Sequence, residues 1–146
     1  MFFKLVLLLL VATVAKECLG AGIIGRTQSA GARGKFTCNG KPISGVLVKM
    51  YDVDTFDIDD LVASTKSDNS GYFSLSGSHK ELTTLDITLN IYHKCNSRIG
   101  LCSKKFKINL PDRYVSTGTT VKNWYEAGTL ELSGNFPGQS HDCIHK

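Results

Sequence analysis

Between its turn signals this chain alternates apolar and polar residues one for one, and no stretch of useful length keeps the 3.6-residue spacing of an amphipathic helix. A period of two is the repeat of a strand with one face in a core and the other in water. Phe36 and Cys38 alternate with Lys35 and Thr37, and Val46, Val48 and Met50 lie opposite Leu47, Lys49 and Tyr51. Leu61 to Ser67 is a third run, and Phe73 and Leu75 oppose Tyr72 and Ser74 on a fourth. Ile87, Leu89 and Ile91 oppose Thr88 and Asn90, then Phe106, Ile108 and Leu110 oppose Lys105, Lys107 and Asn109. Val121 to Tyr125 and Thr129 to Leu132 complete the set around a hinge at Glu126-Ala127-Gly128. Asn39-Gly40-Lys41-Pro42 and Asp68-Asn69-Ser70-Gly71 supply turns. Eight short strands of this kind predict an all-β chain, a two-sheet antiparallel β-sandwich with at most one short helical turn, at His79–Leu85.

Residues 1–20 read as an export signal. Lys4 gives the positive start, Leu5 to Val14 the apolar run, and Cys18-Leu19-Gly20-Ala21 the small residues of a cleavage site. Cutting is expected at Gly20-Ala21, with Ala15 as the alternative. The run is shorter than the roughly 20 apolar residues that cross a bilayer, and no later stretch comes closer. Charged Lys16 and Glu17 stand where a lipoprotein box needs small apolar residues. The mature chain, 21–146, is therefore expected to be secreted, soluble and extracellular, and to form one domain.

Cleavage removes Lys4, Lys16 and Glu17 from the chain's 17 basic and 13 acidic residues, which lowers the formal charge from +4 to +3. That is too mild for a nucleic-acid footprint and compatible with an anionic surface. It also removes Cys18, leaving Cys38, Cys95, Cys102 and Cys143, an even set in an oxidising compartment. Of the three pairings, Cys95–Cys102 across a hairpin and Cys38–Cys143 from the carboxyl end to the first strand are favoured.

Longer strings now carry a resemblance. Gly40-Lys41-Pro42-Ile43-Ser44-Gly45-Val46-Leu47-Val48-Lys49-Met50-Tyr51-Asp52, followed by Thr65-Lys66-Ser67-Asp68-Asn69-Ser70-Gly71-Tyr72-Phe73, resembles the start of a transthyretin-type domain. Gly25-Arg26-Thr27-Gln28-Ser29, Asp57-Ile58-Asp59-Asp60-Leu61, Leu89 to Cys95 and Phe136-Pro137-Gly138 are similar to the nematode transthyretin-like family, across essentially the whole mature chain. The resemblance implies a secreted, disulfide-bonded β-sandwich, and its best-developed functional theme is bridging at cell surfaces and phospholipids.

The chemical motifs are sparse. Gly20-Ala21-Gly22-Ile23-Ile24-Gly25 matches a dinucleotide fingerprint in letter, but no strand precedes it and no helix follows. Asp52, Asp54, Asp57, Asp59 and Asp60 place five carboxylates in nine residues, the oxygen chemistry of calcium. The spacing fails the EF-hand and lacks its glycine, so a solvated inter-strand loop is expected. His93, His141 and His145 could serve zinc or copper. Disulfides withdraw the neighbouring sulfurs, and His93 shares the parity of Ile91 and Leu89, so it is expected as a hydrogen-bonded core or rim residue. No cofactor or metal ligand set is assigned. No Gly-x-Ser-x-Gly elbow or nucleophile–base pairing occurs, so no catalytic residues are assigned. The fold's enzymatic relatives, which hydrolyse 5-hydroxyisourate, end in Tyr-Arg-Gly-Ser, whereas this chain ends His141-Asp142-Cys143-Ile144-His145-Lys146. Hydrolysis is disfavoured. There is no Asn-x-Ser/Thr sequon and no amphipathic helix for a membrane interface.

Lys104, Lys105 and Lys107 are the densest basic run. Lys105 and Lys107 fall on the polar face of their strand, while Lys104 has the apolar parity. If that strand pairs with the one before it, Thr88, Asn90 and Tyr92 join them, with Arg98 in the connecting loop. The expected function is an extracellular, non-enzymatic binding module that uses Lys105, Lys107, Tyr92 and Arg98 toward anionic phospholipid headgroups or a cell-surface receptor protein. A carrier of a small apolar ligand, seated between subunits as in transthyretin, is the alternative.

Overall fold

A computed structural model describes residues 24–98 and 100–144. The expected leader 1–20, its cleavage site, the first residues of the dinucleotide-like string and His145 lie outside them. Ten strands follow in order: β1 (Arg26–Cys38), β2 (Lys41–Pro42), β3 (Leu47–Asp52), β4 (Asp60–Lys66), β5 (Tyr72–Glu81), β6 (Ile87–His93), β7 (Ser103–Asn109), β8 (Ser116–Thr117), β9 (Tyr125–Glu131) and β10 (Ser140–Asp142). In one sheet β1 pairs antiparallel with β2, β5 and β8, and parallel with β9. The other sheet has the order β10-β7-β6-β3-β4, antiparallel throughout. Among the described residues no helix is long and apolar enough to cross a membrane.

The expected apolar faces meet between the sheets. Val48 and Met50 of β3, Ile87, Leu89 and Ile91 of β6, and Phe106 of β7 are buried against Ala30, Ala32 and Phe36 of β1 and Phe73 and Leu75 of β5. Phe36 stacks on Phe73 at 4.7 Å, and Phe106 stacks on Phe136 at 3.9 Å. Buried side chains of this size each contribute about 1.5–3 kcal/mol, and this shared layer holds the two sheets face to face.

Three local expectations are corrected. The helical turn at His79–Leu85 does not form, because β5 stays in register with β1 as far as Arg26↔Glu81. The ladder takes up the backbone groups a helix would need. Among the described residues, the helical turn that does occur is a 3-10 turn at Asp112–Tyr114, just after Pro111. Residues 121–124 are not a strand either. β9 runs straight through the expected hinge, with a bulge opposite Arg33–Lys35 where Gly128 takes φ +67°.

The third correction concerns the disulfides, which pair Cys38 with Cys95 and Cys102 with Cys143. The preference for Cys95–Cys102 assumed a tight hairpin, but a loop spanning 94–102 joins β6 to β7. Cys38, at the end of β1, and Cys95, just past β6, join the two sheets, flanked by reciprocal amide bonds between Asn39 and Asn96. Asp142 lies opposite Ser103 in the β10–β7 ladder, so the next pair outward is Cys143 and Cys102, with Cα atoms 4.1 Å apart. That strand at 140–142 was invisible to the alternation argument, being only three residues long.

Candidate functional site

Strand parity places one set of side chains on the outer face of the β10-β7-β6-β3-β4 sheet. Its rows follow from register. Ser140, Lys105, Tyr92, Leu47 and Lys66 form one row; Lys107, Asn90, Lys49 and Ser64 the next; and Asn109, Thr88, Tyr51 and Leu61 the third. The first two rows hold four lysines, and the third holds no charged residue. Asp142 of β10 also lies on this face, and its Oδ2 is 3.7 Å from Lys105 Nζ.

Tyr92 is the centre of the face. The ammonium groups of Lys105 and Lys49 stand 5.3 Å and 5.8 Å from its ring centroid. Their stems cover it, so that it is only 4% exposed although it points away from the core. Burial, and then the Asp142 charge, push its phenol above the usual range. Lys107, by contrast, is exposed.

At the Leu47 end the face opens into a cleft of about 290 Å³, lined by Ile43, Leu47, Lys66, Tyr92, Lys94 and Ser103. One wall is fixed by Ser67, buried beneath it. Its hydroxyl donates to the Ile43 carbonyl at 2.8 Å and accepts from the Val46 N–H at 3.0 Å. The Gly45 N–H donates to the Ser67 carbonyl, and Gly45 itself takes φ +74°. Lys66, Lys94 and Tyr92 at its lining give the cleft a positive charge suited to an anion, with the Lys94 ammonium donating to the Gly100 carbonyl at 3.2 Å.

Lys105, Lys107 and Tyr92 share one face by register, and Arg98 is exposed in the 94–102 loop that connects β6 to β7. Lys49, Lys66 and Lys94 were missed. Lys49 was on the polar side of its own strand, but nothing local says that β3 is the neighbour of β6. Behind this face, His93 is buried as anticipated, opposite Lys104. Its Nδ1 accepts the Cys95 N–H at 3.2 Å, which leaves the proton on Nε2. Burial, then Lys104, hold its pKa down at about 4.

A second cationic region on the other sheet is already internally compensated. Arg33 lies over Trp124, with 5.3 Å to the ring centroid, and both its Nε and an Nη contact Glu126 Oε1 at 2.6 Å. Gly31 lies directly beneath the Trp124 ring, where a Cβ would come within 2.8 Å of it.

The opposite end of the sandwich is acidic, and the expected solvated loop is only partly that. Asp57, Asp59 and Asp60 are exposed, but Asp52 is 2% exposed. Its Oδ1 accepts the Asp86 N–H at 2.7 Å. Donor atoms of Asp52, His79 and Glu81 lie within 4.8 Å of one another, and so do those of Asp54, Asp60 and Glu81. Burial, followed by the Asp54 and Glu81 charges, raises the Asp52 pKa, against the Asp86 hydrogen bond.

Comparison with known proteins places this architecture. A family model described as "TTR-52: Transthyretin-like family" matches residues 33–111. Transthyretin-like protein 5 of Caenorhabditis elegans is 54% identical over 124 residues, covering 84% of this chain and 89% of that protein. Transthyretin-like protein 2 of the same organism is 42% identical over 144 residues, covering 94% and 95%. Transthyretin-like protein 33 is 40% identical over 121 residues, covering 82% and 85%. With the matched segment running from β1 to just past β7, and relatives aligned over nearly their whole lengths, this chain belongs to the transthyretin-like family.

Proposed function

We propose that residues 1–20 are removed on export and that residues 21–146 act outside the cell as a binding module without catalysis of its own. It docks anionic phospholipid headgroups or an acidic patch of a cell-surface receptor through the lysine face of the β10-β7-β6-β3-β4 sheet. The observation that carries this reading is the arrangement of Lys49, Lys66, Lys105 and Lys107 around Tyr92, opening into a cleft that adds Lys94. Each basic residue held near a charged membrane contributes about 1 kcal/mol.

Flotation of vesicles with and without phosphatidylserine tests the lipid reading at physiological salt. Protein should float with the anionic vesicles and stay behind with neutral ones. Lys107→Glu is the clean variant, since Lys107 is exposed whereas Lys105 also holds Asp142. It should weaken flotation roughly tenfold at an unchanged melting temperature. Equal partitioning between the two vesicle types would remove the lipid arm and leave the receptor arm, which a capture experiment on cell-surface extract addresses.

A further inference from the structure

We propose that Asp52, His79 and Glu81 form a binding site for a divalent cation of the borderline class, with Zn²⁺ as its representative, at the acid end of the sandwich. This site is separate from the lysine face and does not depend on it. Asp52 ends β3, while His79 and Glu81 stand two residues apart near the end of β5 and so share one face of that strand. Their donor atoms lie within 4.8 Å of one another, and His79 Nε2 is 3.6 Å from Glu81 Oε1. Ligands at zinc's bond lengths of about 2.0–2.1 Å stand ~3.4 Å apart in a tetrahedral set, so small rotations close this one.

An acidic cluster alone would be an ordinary feature of a solvated loop. The observation that singles this one out is Asp52. Its side chain is buried, Oδ1 is engaged by the Asp86 N–H, and Oδ2 has no hydrogen-bond partner among the described residues. A buried carboxylate oxygen without a partner costs about 1–3 kcal/mol or more, and a coordinated cation removes that cost. Asp60, whose Oδ2 lies 3.2 Å from His79 Nε2, and Asp54 add two further carboxylates beside Glu81.

The nitrogen donor selects the metal. Calcium takes six to eight oxygens, whereas here an imidazole nitrogen sits amid the carboxylates, as a borderline cation prefers. The linear reading could not find the site, because His79 and Glu81 follow Asp52 by more than twenty residues, lie in the other sheet, and reach it only where the two sheets pack face to face.

Titration of Zn²⁺ into oxidised, metal-stripped protein by calorimetry and by competition with a chromogenic chelator tests the proposal. One equivalent should bind at micromolar concentration or tighter, raise the melting temperature, and shift the His79 side-chain nitrogen resonances while leaving those of His93 in place. His79→Gln should weaken binding at least tenfold without changing the metal-free melting temperature. Asp52→Asn, which keeps the acceptor for Asp86, should also weaken binding at least tenfold, and Lys107→Glu should leave zinc binding intact. No binding at micromolar Zn²⁺ would overturn the proposal, as would binding that survives His79→Gln but is lost when His141 and His145 are both replaced by Gln. Displacement of Zn²⁺ by millimolar Ca²⁺ would overturn the choice of metal.

Discussion

Among single residues, His93 carries the sharpest consequence. Its pKa falls from 6.5 to about 4 in the fold, so the folded chain refuses a proton that the unfolded chain accepts. The stability this contributes is complete above pH 6.5 and is lost as pH falls from 6.5 toward 4, amounting to about 2 kcal/mol by pH 5. Denaturant unfolding at pH 7 and pH 5 measures it. The parent should lose stability between the two, and His93→Gln should lose less. Equal losses in parent and variant would show that His93 is not the group responsible. Glu131 is shifted the same way, down to about 2, by hydrogen bonds from Ser133, Thr37 and the Gly40 N–H, and its contribution fades between pH 4.5 and pH 2. Parity alone revealed that His93 faces inward. Glu131 was not legible, because its partners in the Asn39-Gly40 turn lie more than ninety residues away.

Among elements, the short β10 carries weight beyond its three residues. It covers Ser103–Lys105 of β7, carries Asp142 to Lys105, and is anchored by Cys102–Cys143 just beyond the last ladder pair. Closing that loop, with a sequence separation of 41, removes about 4 kcal/mol of unfolded-chain entropy. Replacing both Cys102 and Cys143 with Ser should lower unfolding stability by up to about that amount. Backbone amides of Ser140–Asp142 should then exchange fastest, ahead of those in β3 and β6. Uniform protection across the sheet in the double variant would contradict the anchoring role. Strands with alternating apolar faces were legible to within a residue or two, as β3, β6 and β7 show. The amino-terminal half of β1 was not. Thr27 to Gly34 lacks an apolar stripe because its small residues let Trp124 and the Gln28 hydrogen bonds to Thr83 and Leu85 close over it.

For the whole molecule, the two-layer class followed from the repeat of two, while strand order and disulfide partners did not, since both depend on contacts between distant segments. Strand order decides how charge is distributed. Lysines occupy the Leu47 end of the sheet, and Asp52, Asp54, Asp60 and Glu81 gather at the other. The arrival of the protein at phosphatidylserine vesicles should therefore slow as salt rises, and Lys107→Glu should flatten that dependence. Stopped-flow association across a salt series reads both, and a parent rate indifferent to salt would count against electrostatic approach. The ends are five strand steps apart, roughly 17 Å, or about two screening lengths at physiological salt. A negative plane then exerts a torque as well as an attraction: it turns the lysine rows inward and the carboxylates away. A molecule landing this way tips its Leu47 end toward the lipid and holds the acid and imidazole cluster at its raised end, clear of the lipid's own phosphates.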